Sequence, residues 1–382
     1  MKKIISVFII LSVLLSCTSF AEGYYALGQD SLTAECAILM DAHSGRVIYE
    51  KNSVQKHAIA SITKIMTALV VFDEIYKGNL TLDTIVTANG YEPEEGEVHI
   101  YLAKGEQISV HDLLKAMFLP SANDACVALA EHIAGSKKGF VEMMNNKAID
   151  LKLENTNFSN TNGLKSDNHY STAHDVAVMA RALLNYKEVY NYCSLWNDSI
   201  RGGTFQVTNT NLLLTRYDGM TGLKTGYTEE AGYCLAGTAE RNGVSLISVV
   251  LGAPTSDARF ADTKAILNYG FDNYEMKTIA RQGEPICDIK LKRAVEKKYT
   301  VTLSQDYTAL MRKDFAGEIE KNATYEEKIK APIEQGMNVG SVTFSADGMP
   351  LMTVPLTVQQ SFPKITYFTS IGLLFKSFMG LR

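Results

Sequence analysis

The chain has 382 residues and a formal net charge of -5, with 37 Lys and Arg residues against 42 Asp and Glu residues. Its apolar fraction of 46% is ample for a sizeable core, and the length exceeds that of one typical domain, so two domains are expected. The basic residues form no long run and do not interleave with aromatic residues, which argues against nucleic acid as a partner.

The first residues have the pattern of a secretory signal peptide. Lys2 and Lys3 give a positive start, an apolar run follows at Ile4–Leu15, and small residues stand at Ser19–Ala21. The apolar run is too short to span a membrane with ease. We therefore expect residues 1–21 to be removed during export, which places the mature protein outside the cytoplasm.

A lipoprotein cleavage site is the alternative interpretation of the same segment. Leu14-Leu15-Ser16-Cys17 would leave a lipid on Cys17, but the leucine directly before Ser16 fits such a site poorly. Both interpretations predict export.

The mature chain is predicted to open with two antiparallel strands and a buried helix. Cys36–Met40 and Arg46–Glu50 are apolar-rich runs separated by Asp41–Gly45, a sequence typical of a hairpin turn. Ser61–Tyr76 then carries apolar residues at helical spacing around most of its circumference and ends before Gly78. This pattern predicts the core helix of the first domain.

Ser61-Ile62-Thr63-Lys64 opens this predicted helix. Ser61 and Lys64 lie one turn apart on the same face, so their side chains can touch. A serine hydroxyl becomes a nucleophile when a neighbouring base accepts its proton, and a lysine becomes such a base when burial lowers its pKa. Backbone N–H groups at the start of a helix also face a developing oxyanion. An N-capping serine followed by a surface lysine is the alternative for so short a motif.

A second motif, Ser121-Ala122-Asn123, follows Leu119-Pro120. Its spacing lets Ser121 and Asn123 point to the same side of an extended turn. Ser121 can relay a proton between a lysine and a leaving nitrogen, and the Asn123 amide can hold a substrate carbonyl. Either side chain could instead cap the following helix. The helices predicted in this region are Val110–Phe118, Asn123–Ile133, Lys138–Leu151 and Thr172–Leu184.

The periodicity then changes to that of strands. Gly232–Ala239 and Val244–Leu251 are strand-like runs joined by Arg241-Asn242-Gly243, in which Asn-Gly is a strong hairpin signal. Strands from both ends of the region, with helices between them in sequence, predict an α/β sandwich of antiparallel sheet and helices. The catalytic groups are expected where helices and sheet meet.

Lys224-Thr225-Gly226, the third motif, precedes this hairpin. A cation beside a hydroxyl on an edge strand suits a terminal carboxylate. Gly226 removes a side chain that would keep a substrate from lying along the strand. An ordinary turn lysine is the alternative interpretation.

Beyond about Met276 the composition changes to short strands with polar turns, and a separate small β domain is the simplest account. Its predicted strands are Ile286–Leu291, Tyr299–Leu303, Tyr307–Met311, Tyr325–Ile329, Asn338–Phe344 and Leu351–Val358.

The segment from Lys364 to Arg382 contains no acidic residue and has the pattern of an amphipathic helix. Such a helix lies in a membrane interface, and Lys376 within the segment argues against a full span. A short span, or a helix packed on the β domain, is the alternative. The apolar side carries Ile365, Phe368, Ile371, Leu374, Phe375, Phe378 and Met379, and the polar side carries Thr366, Thr369, Ser370, Lys376 and Ser377.

The cysteines and histidines predict neither a disulfide framework nor a metal or cofactor site. The cysteines beyond Cys17 are widely scattered without a Cys-x-x-Cys pair, and Cys126 and Cys234 lie among apolar neighbours. The seven histidines show no His-Glu-x-x-His spacing. We expect mostly free, buried thiols and structural histidines.

The three motifs occur together in the order found in penicillin-binding proteins and class A β-lactamases. The chain most closely resembles the low-molecular-mass D-alanyl-D-alanine carboxypeptidases, from about Ala34 to its C-terminus. The resemblance implies a catalytic domain (22–275), a small β-rich domain (276–360) and an amphipathic membrane-anchoring tail (361–382). The segments that carry it are Ala58–Ala68, Asn162–Leu164, Gly222–Thr228 and Ala231–Tyr233.

The resemblance also implies the roles of the first two motifs. Ser61 would form the acyl-enzyme, and Lys64 would be the base for its attack. Ser121 and Asn123 would complete the proton relay and help to bind the substrate.

The third motif would bind the carboxylate of the terminal D-alanine through Lys224 and Thr225, with Gly226 beside them. The same resemblance implies that the backbone N–H groups of Ser61 and Tyr227 form the oxyanion hole. The family often has histidine at the position of Tyr227, so this chain differs at the edge of the cleft but keeps the backbone donor.

The expected function is removal of the terminal D-alanine from peptidoglycan pentapeptide stems, at the outer face of the cytoplasmic membrane, by a serine enzyme that penicillin acylates. No cofactor is implied. A class A β-lactamase is one alternative, but it usually reads Ser-Asp-Asn in the second motif, has no second domain, and needs a glutamate-activated water for which Glu154 lacks the spacing. A non-catalytic peptidoglycan-binding protein on the same scaffold is the other, and the intact motifs argue against it.

Overall fold

The computed structural model describes residues 27–379. The expected signal peptide at residues 1–21 and the alternative lipid site at Cys17 lie outside this part of the chain. Along the described residues an α/β unit is followed by an all-β unit with its own hydrophobic core. The predicted fold class, an α/β sandwich of antiparallel sheet and helices with a second small all-β domain, is confirmed.

A five-stranded antiparallel sheet forms the centre of the α/β unit. The strands of this unit are β1 (Cys36–Asp41), β2 (Val47–Lys51), β3 (Ile85–Thr87), β4 (Gln107–Ser109), β5 (Asn197–Ile200), β6 (Phe205–Thr208), β7 (Met220–Thr228), β8 (Gly232–Arg241) and β9 (Val244–Ala253). The order in the central sheet is β2-β1-β9-β8-β7, so pairing of β1 with β9 joins the two ends of the unit. β7, which carries the third motif, is an edge strand as predicted.

Helices cover both faces of this sheet. They are α1 (Lys64–Tyr76), α2 (Val110–Phe118), α3 (Asn123–Ala134), α4 (Lys137–Asp150), α5 (Ala173–Leu183), α6 (Tyr190–Cys193), α7 (Leu213–Arg216) and α8 (Ser256–Asn273). α1 and α5 share a core with Ile38 and Val249 on one face, whereas α8 packs with Leu39 and Leu246 on the other. Successive side chains of a strand point to opposite faces of the sheet, and nearly all side chains of β1 and β9 are buried. Both faces of these two strands are therefore covered.

One helix prediction needs correction, and one helix was missed. The helix predicted from Ser61 begins as an α-helix only at Lys64, because Ala60–Thr63 form a 3₁₀ turn instead. α8 was not predicted at all. Its buried side includes Arg259 and Asp262, and these polar residues hide the apolar repeat.

The all-β unit consists of short strands in three small sheets. Its strands are β10 (Tyr274–Ala280), β11 (Pro285–Lys292), β12 (Lys298–Thr302), β13 (Tyr307–Arg312), β14 (Ile319–Tyr325), β15 (Lys328–Lys330), β16 (Asn338–Ala346) and β17 (Met349–Thr357). The sheets have the orders β10-β13, β12-β11-β15 and β14-β16-β17. The expected domain boundary at 275/276 lies inside β10 and stays a prediction.

The single strand predicted at Tyr325–Ile329 is wrong. β14 ends at Tyr325 and β15 begins at Lys328, and the two strands belong to different sheets. Most side chains of β14 are at least partly exposed, so this strand lacks the apolar alternation that would have marked it in the sequence.

The last described element is α9 (Tyr367–Phe378). Tyr367, Phe368, Phe375 and Phe378 on this helix are exposed. Among residues 27–379, no helix combines the length and the apolarity that crossing a bilayer requires.

Candidate active site

The 3₁₀ turn at Ala60–Thr63 carries Ser61 to the front of α1. The left-handed backbone of Ala60 is costly for a residue with a β carbon, so the surrounding structure must hold this turn in place. Lys64 Nζ lies 2.8 Å from Ser61 Oγ and donates a hydrogen bond to it. The structure therefore brings the candidate nucleophile and its candidate base together.

The Lys64 amine is buried and surrounded by oxygen atoms. Besides Ser61 Oγ, it donates to Asn123 Oδ1 at 2.7 Å and to the backbone oxygen of Asn162 at 3.0 Å. Burial lowers the pKa of Lys64 to about 8, against the opposing effects of Cys126, Glu97 and Asp124. A lysine with this pKa can accept a proton from a neighbouring hydroxyl near neutral pH.

The second motif contacts the same amine through Asn123. Ser121 has a left-handed backbone (φ 74°), and its buried Oγ forms no hydrogen bond within the described chain. Asn123 uses Oδ1 for Lys64 and donates from Nδ2 to Glu97 at 3.1 Å. Neither side chain caps α3, whose N-cap residue is Ala122. The capping alternative for this motif is therefore wrong.

The third motif lies on β7. Lys224 is buried, and Nζ donates to the backbone oxygen of Thr225 at 3.1 Å. Burial, with a smaller contribution from the charge of Lys64, holds the pKa of Lys224 well below its usual value. Thr225 Oγ1 shares a short hydrogen bond with Thr210 Oγ1. A carboxylate that reached Lys224 would relieve this unfavourable burial of a cation.

The structure gives a reason for Gly226 that the sequence did not suggest. A β carbon at this position would lie 3.0 Å from the Ser61 nitrogen and 3.1 Å from the backbone of Ile59 and Ile62. The glycine thus makes room for the nucleophile turn itself, and the expectation that it also makes room for a substrate stays a prediction. The close approach of Gly226 places the Ser61 amide against β7. Tyr227, the next residue on this strand, has an exposed ring that stacks on Tyr233.

Two further features near the site were missed in the sequence. Arg259 on α8 is buried and donates to the backbone oxygen of Gly226 at 3.2 Å, and burial lowers its pKa. Glu97 receives a hydrogen bond from Tyr91 as well as from Asn123. Neither residue belongs to a short motif, so only the fold identifies them.

A polar cavity of about 890 Å³ adjoins these groups. Glu97 and Asn162, which contact Asn123 and Lys64, form part of its wall, together with Thr228 at the end of β7. The residues that contact Lys64 and Asn123 therefore border a space large enough for an elongated ligand.

Comparison with known proteins identifies both units. The family model described as D-alanyl-D-alanine carboxypeptidase matches residues 25–255, and the model of the C-terminal domain of penicillin-binding protein 5 matches residues 274–364. D-alanyl-D-alanine carboxypeptidase DacF of Bacillus subtilis is 34% identical over 379 residues, which cover 97% of each chain.

Solved structures agree with this match. Penicillin-binding protein 5 of Haemophilus influenzae is 30% identical with a TM-score of 0.75, over 90% of this chain and 100% of that one. Penicillin-binding protein D2 of Listeria monocytogenes, in its cefotaxime-bound form, is 34% identical with a TM-score of 0.60, over 65% of this chain and 99% of that one.

Gly163 offers a test of how tightly the nucleophile turn is held. A β carbon on Gly163 (φ 88°) would lie 1.8 Å from the backbone oxygen of Ala60. Gly163→Ala should therefore displace the turn and lower the free energy of unfolding by several kcal/mol, on the order of the larger single-residue effects.

The matched control is Gly135→Ala, which has a similar left-handed backbone (φ 72°) and nothing within 4 Å of the added carbon. It should cost only about 1 kcal/mol. Urea denaturation of both variants measures the difference, and equal losses would show that the contact with Ala60 does not constrain the turn.

Proposed function

The chain belongs to the D-alanyl-D-alanine carboxypeptidase family, and we propose that it removes the terminal D-alanine from peptidoglycan stem peptides through an acyl-enzyme on Ser61. The observation that carries the proposal is the 2.8 Å contact between Ser61 Oγ and the buried amine of Lys64. With a pKa of about 8, roughly a tenth of Lys64 is neutral at pH 7 and ready to act as a base.

Acylation begins when Ser61 Oγ attacks the carbonyl carbon of the penultimate D-alanine. The hydroxyl proton passes to neutral Lys64, and the C–N bond then breaks as the leaving D-alanine nitrogen receives a proton. Ser121 would relay that proton, a role open to its hydroxyl because it has no hydrogen-bond partner among residues 27–379. An ester between Ser61 and the shortened peptide remains, and water hydrolyses it to regenerate the enzyme.

The carbonyl oxygen becomes negatively charged when Ser61 attacks, and hydrogen-bond donors must stabilise this charge. We assign the oxyanion hole to the backbone N–H groups of Ser61 and Tyr227. The close approach of β7 to the nucleophile turn at Gly226 supports this assignment, because Tyr227 directly follows Gly226 on that strand.

The carboxylate of the terminal D-alanine would bind Lys224 and Thr225. An anion beside a buried cation stabilises the charged form of Lys224, whose pKa burial otherwise depresses. Asn123 would hold the substrate backbone with the N–H that Glu97 leaves free.

β-lactam antibiotics would acylate Ser61 by the same first step. The cefotaxime-bound form of the Listeria protein supports this proposal, since that protein shares the α/β fold with this chain. Glu154, the glutamate considered for a β-lactamase water, is exposed beyond α4.

We also propose that the enzyme is exported and that α9 holds it at the outer face of the cytoplasmic membrane. There the catalytic domain would face the cell wall. Large apolar side chains on α9 are exposed, with Phe368 at 84% and Phe378 at 91%. Helices with such a face and no acidic residues bind membrane interfaces. The alternative packing of this face on the β unit is disfavoured by that exposure.

In this arrangement the chain divides into a catalytic domain (22–275), a β domain that acts as a spacer (276–360) and a membrane-anchoring tail (361–382).

Ser61 and Lys64 can be tested with a fluorescent penicillin. Ser61→Ala should abolish covalent labelling, and Lys64→Ala should slow it by about 10³-fold, while both variants keep the wild-type circular dichroism. Because deprotonated Lys64 is the active form, the wild-type acylation rate should fall about tenfold for each pH unit below about 8 and level off above it. Normal labelling of Ser61→Ala would refute the assigned nucleophile.

Lys224 can be tested with two substrates. Lys224→Ala should lower kcat/KM about 10- to 100-fold for a peptide that ends in free D-alanine, because a charge-assisted contact is lost. The same peptide with an amidated terminus should be affected little. Lys104→Ala, at an exposed position before β4, serves as the matched control, and equal losses on both substrates would contradict the role of Lys224.

The tail can be tested by truncation. A chain that ends at Gln360 should be soluble, hydrolyse a small D-alanyl-D-alanine peptide and no longer sediment with anionic vesicles. Phe375→Ser with Phe378→Ser in the intact chain should reduce sedimentation without the loss of the helix. If the truncated chain sediments as fully as the intact one, the tail is not the anchor and the lipid site at Cys17 becomes the better explanation.

A further inference from the structure

His169 is a buried histidine that contacts the nucleophile turn through Thr63. Its Nε2 atom lies 2.7 Å from Thr63 Oγ1, and its Nδ1 atom lies 3.1 Å from the backbone nitrogen of Ser159. Only 8% of the residue is exposed. The sequence had suggested an ordinary structural role for this side chain.

The partners of His169 fix the direction of its hydrogen bonds. The Ser159 N–H can only donate, so Nδ1 must accept and carries no proton. The ring proton then resides on Nε2 and is donated to Thr63 Oγ1. Burial lowers the pKa of His169 to about 4, which keeps the ring in this neutral form at neutral pH.

Thr63 passes the interaction on to the residue before the nucleophile. Its hydroxyl donates to the backbone oxygen of Ala60 at 2.8 Å. A hydrogen-bonded chain thus runs in one direction, from the Ser159 N–H through His169 and Thr63 to the Ala60 carbonyl. The two side chains, His169 and Thr63, each accept one hydrogen bond and donate one, so the chain polarises cooperatively.

The end of this chain is the peptide group that contains the Ser61 N–H. The carbonyl of Ala60 and the amide of Ser61 belong to one planar unit, so holding the oxygen also sets the direction of the N–H. A hydrogen bond to the oxygen also makes the N–H a stronger donor. The left-handed backbone of Ala60 needs such support to persist.

We propose that His169 is a positioning residue which, through Thr63, orients and polarises the Ala60–Ser61 peptide group so that its N–H stabilises the oxyanion. The inference rests on the proposed function, because an oxyanion forms there only if Ser61 carries out acyl transfer. It adds a residue that touches neither the substrate nor the reacting atoms.

Four substitutions in the intact chain separate positioning from mere packing. His169→Leu removes both hydrogen bonds, whereas His169→Gln retains a donor and an acceptor. Thr63→Val removes the hydroxyl with little change of shape, whereas Thr63→Ser retains it. His132→Leu, at an exposed position on α3, is the control for loss of a histidine elsewhere.

Stopped-flow acylation by a fluorescent penicillin is the main measurement. His169→Leu and Thr63→Val should each lower the limiting acylation rate about 10- to 100-fold, somewhat less than complete loss of an oxyanion donor. The dissociation constant of the initial non-covalent complex should change by less than about threefold. His169→Gln and Thr63→Ser should recover most of the rate, and the double variant should be no slower than either single variant.

Infrared spectroscopy of the acyl-enzyme supplies a signature that packing alone does not produce. The ester carbonyl stretch should shift to higher frequency in His169→Leu and Thr63→Val, because a weaker oxyanion donor polarises the carbonyl less. It should stay at the wild-type value in His132→Leu.

The outcomes distinguish this inference from the proposed function. If the wild-type protein forms no acyl-enzyme, the proposed function fails and the inference fails with it. If the wild type is acylated but Thr63→Val keeps both its acylation rate and its carbonyl frequency, the inference alone is wrong. Should His169→Leu fail to fold, Thr63→Val and the rescue by Thr63→Ser still decide the question.

Discussion

The burial of one amine organises the catalytic side of this molecule. Lys64 Nζ lies within hydrogen-bonding distance of oxygen atoms from three separate segments: the nucleophile turn, the start of α3 and the loop that contains Asn162. A buried amine without such partners would be strongly destabilising, so the three segments must converge for the fold to persist. The burial that lowers the pKa of Lys64 thus also requires the convergence of the three segments that form the site.

A second buried lysine shows how environment divides the roles of identical side chains. Lys224 donates to the Thr225 backbone oxygen and forms no hydrogen bond with Ser61 Oγ in the described structure, whereas Lys64 donates one to Ser61 Oγ. Burial, and to a smaller extent the charges of Lys64 and Arg259, lower the pKa of Lys224, which suits a group that binds an anion. This difference supports the proposed roles, in which Lys64 moves a proton and Lys224 receives a charged ligand.

The sequence predicted the parts of the site that depend on short-range spacing. Ser61 and Lys64 are one helical turn apart, and Lys224 lies on a strand before an Asn-Gly hairpin, so local geometry was enough. Arg259 could not be found because α8 buries polar residues and lacks a clear apolar repeat. Glu97 and His169 form hydrogen bonds with residues that are distant in sequence, and no local sequence pattern contains such pairs. The strand predicted across Tyr325 failed because the chain changes sheets there.

The hydroxyl of Ser121 has a consequence for inhibitor design. Ser121 Oγ is buried and forms no hydrogen bond to the part of the chain that the structure describes. A hydroxyl can both donate and accept a hydrogen bond. A compound that places a polar atom against Ser121 Oγ would therefore gain a hydrogen bond without breaking one within the described protein, whereas an apolar group at that point would gain none.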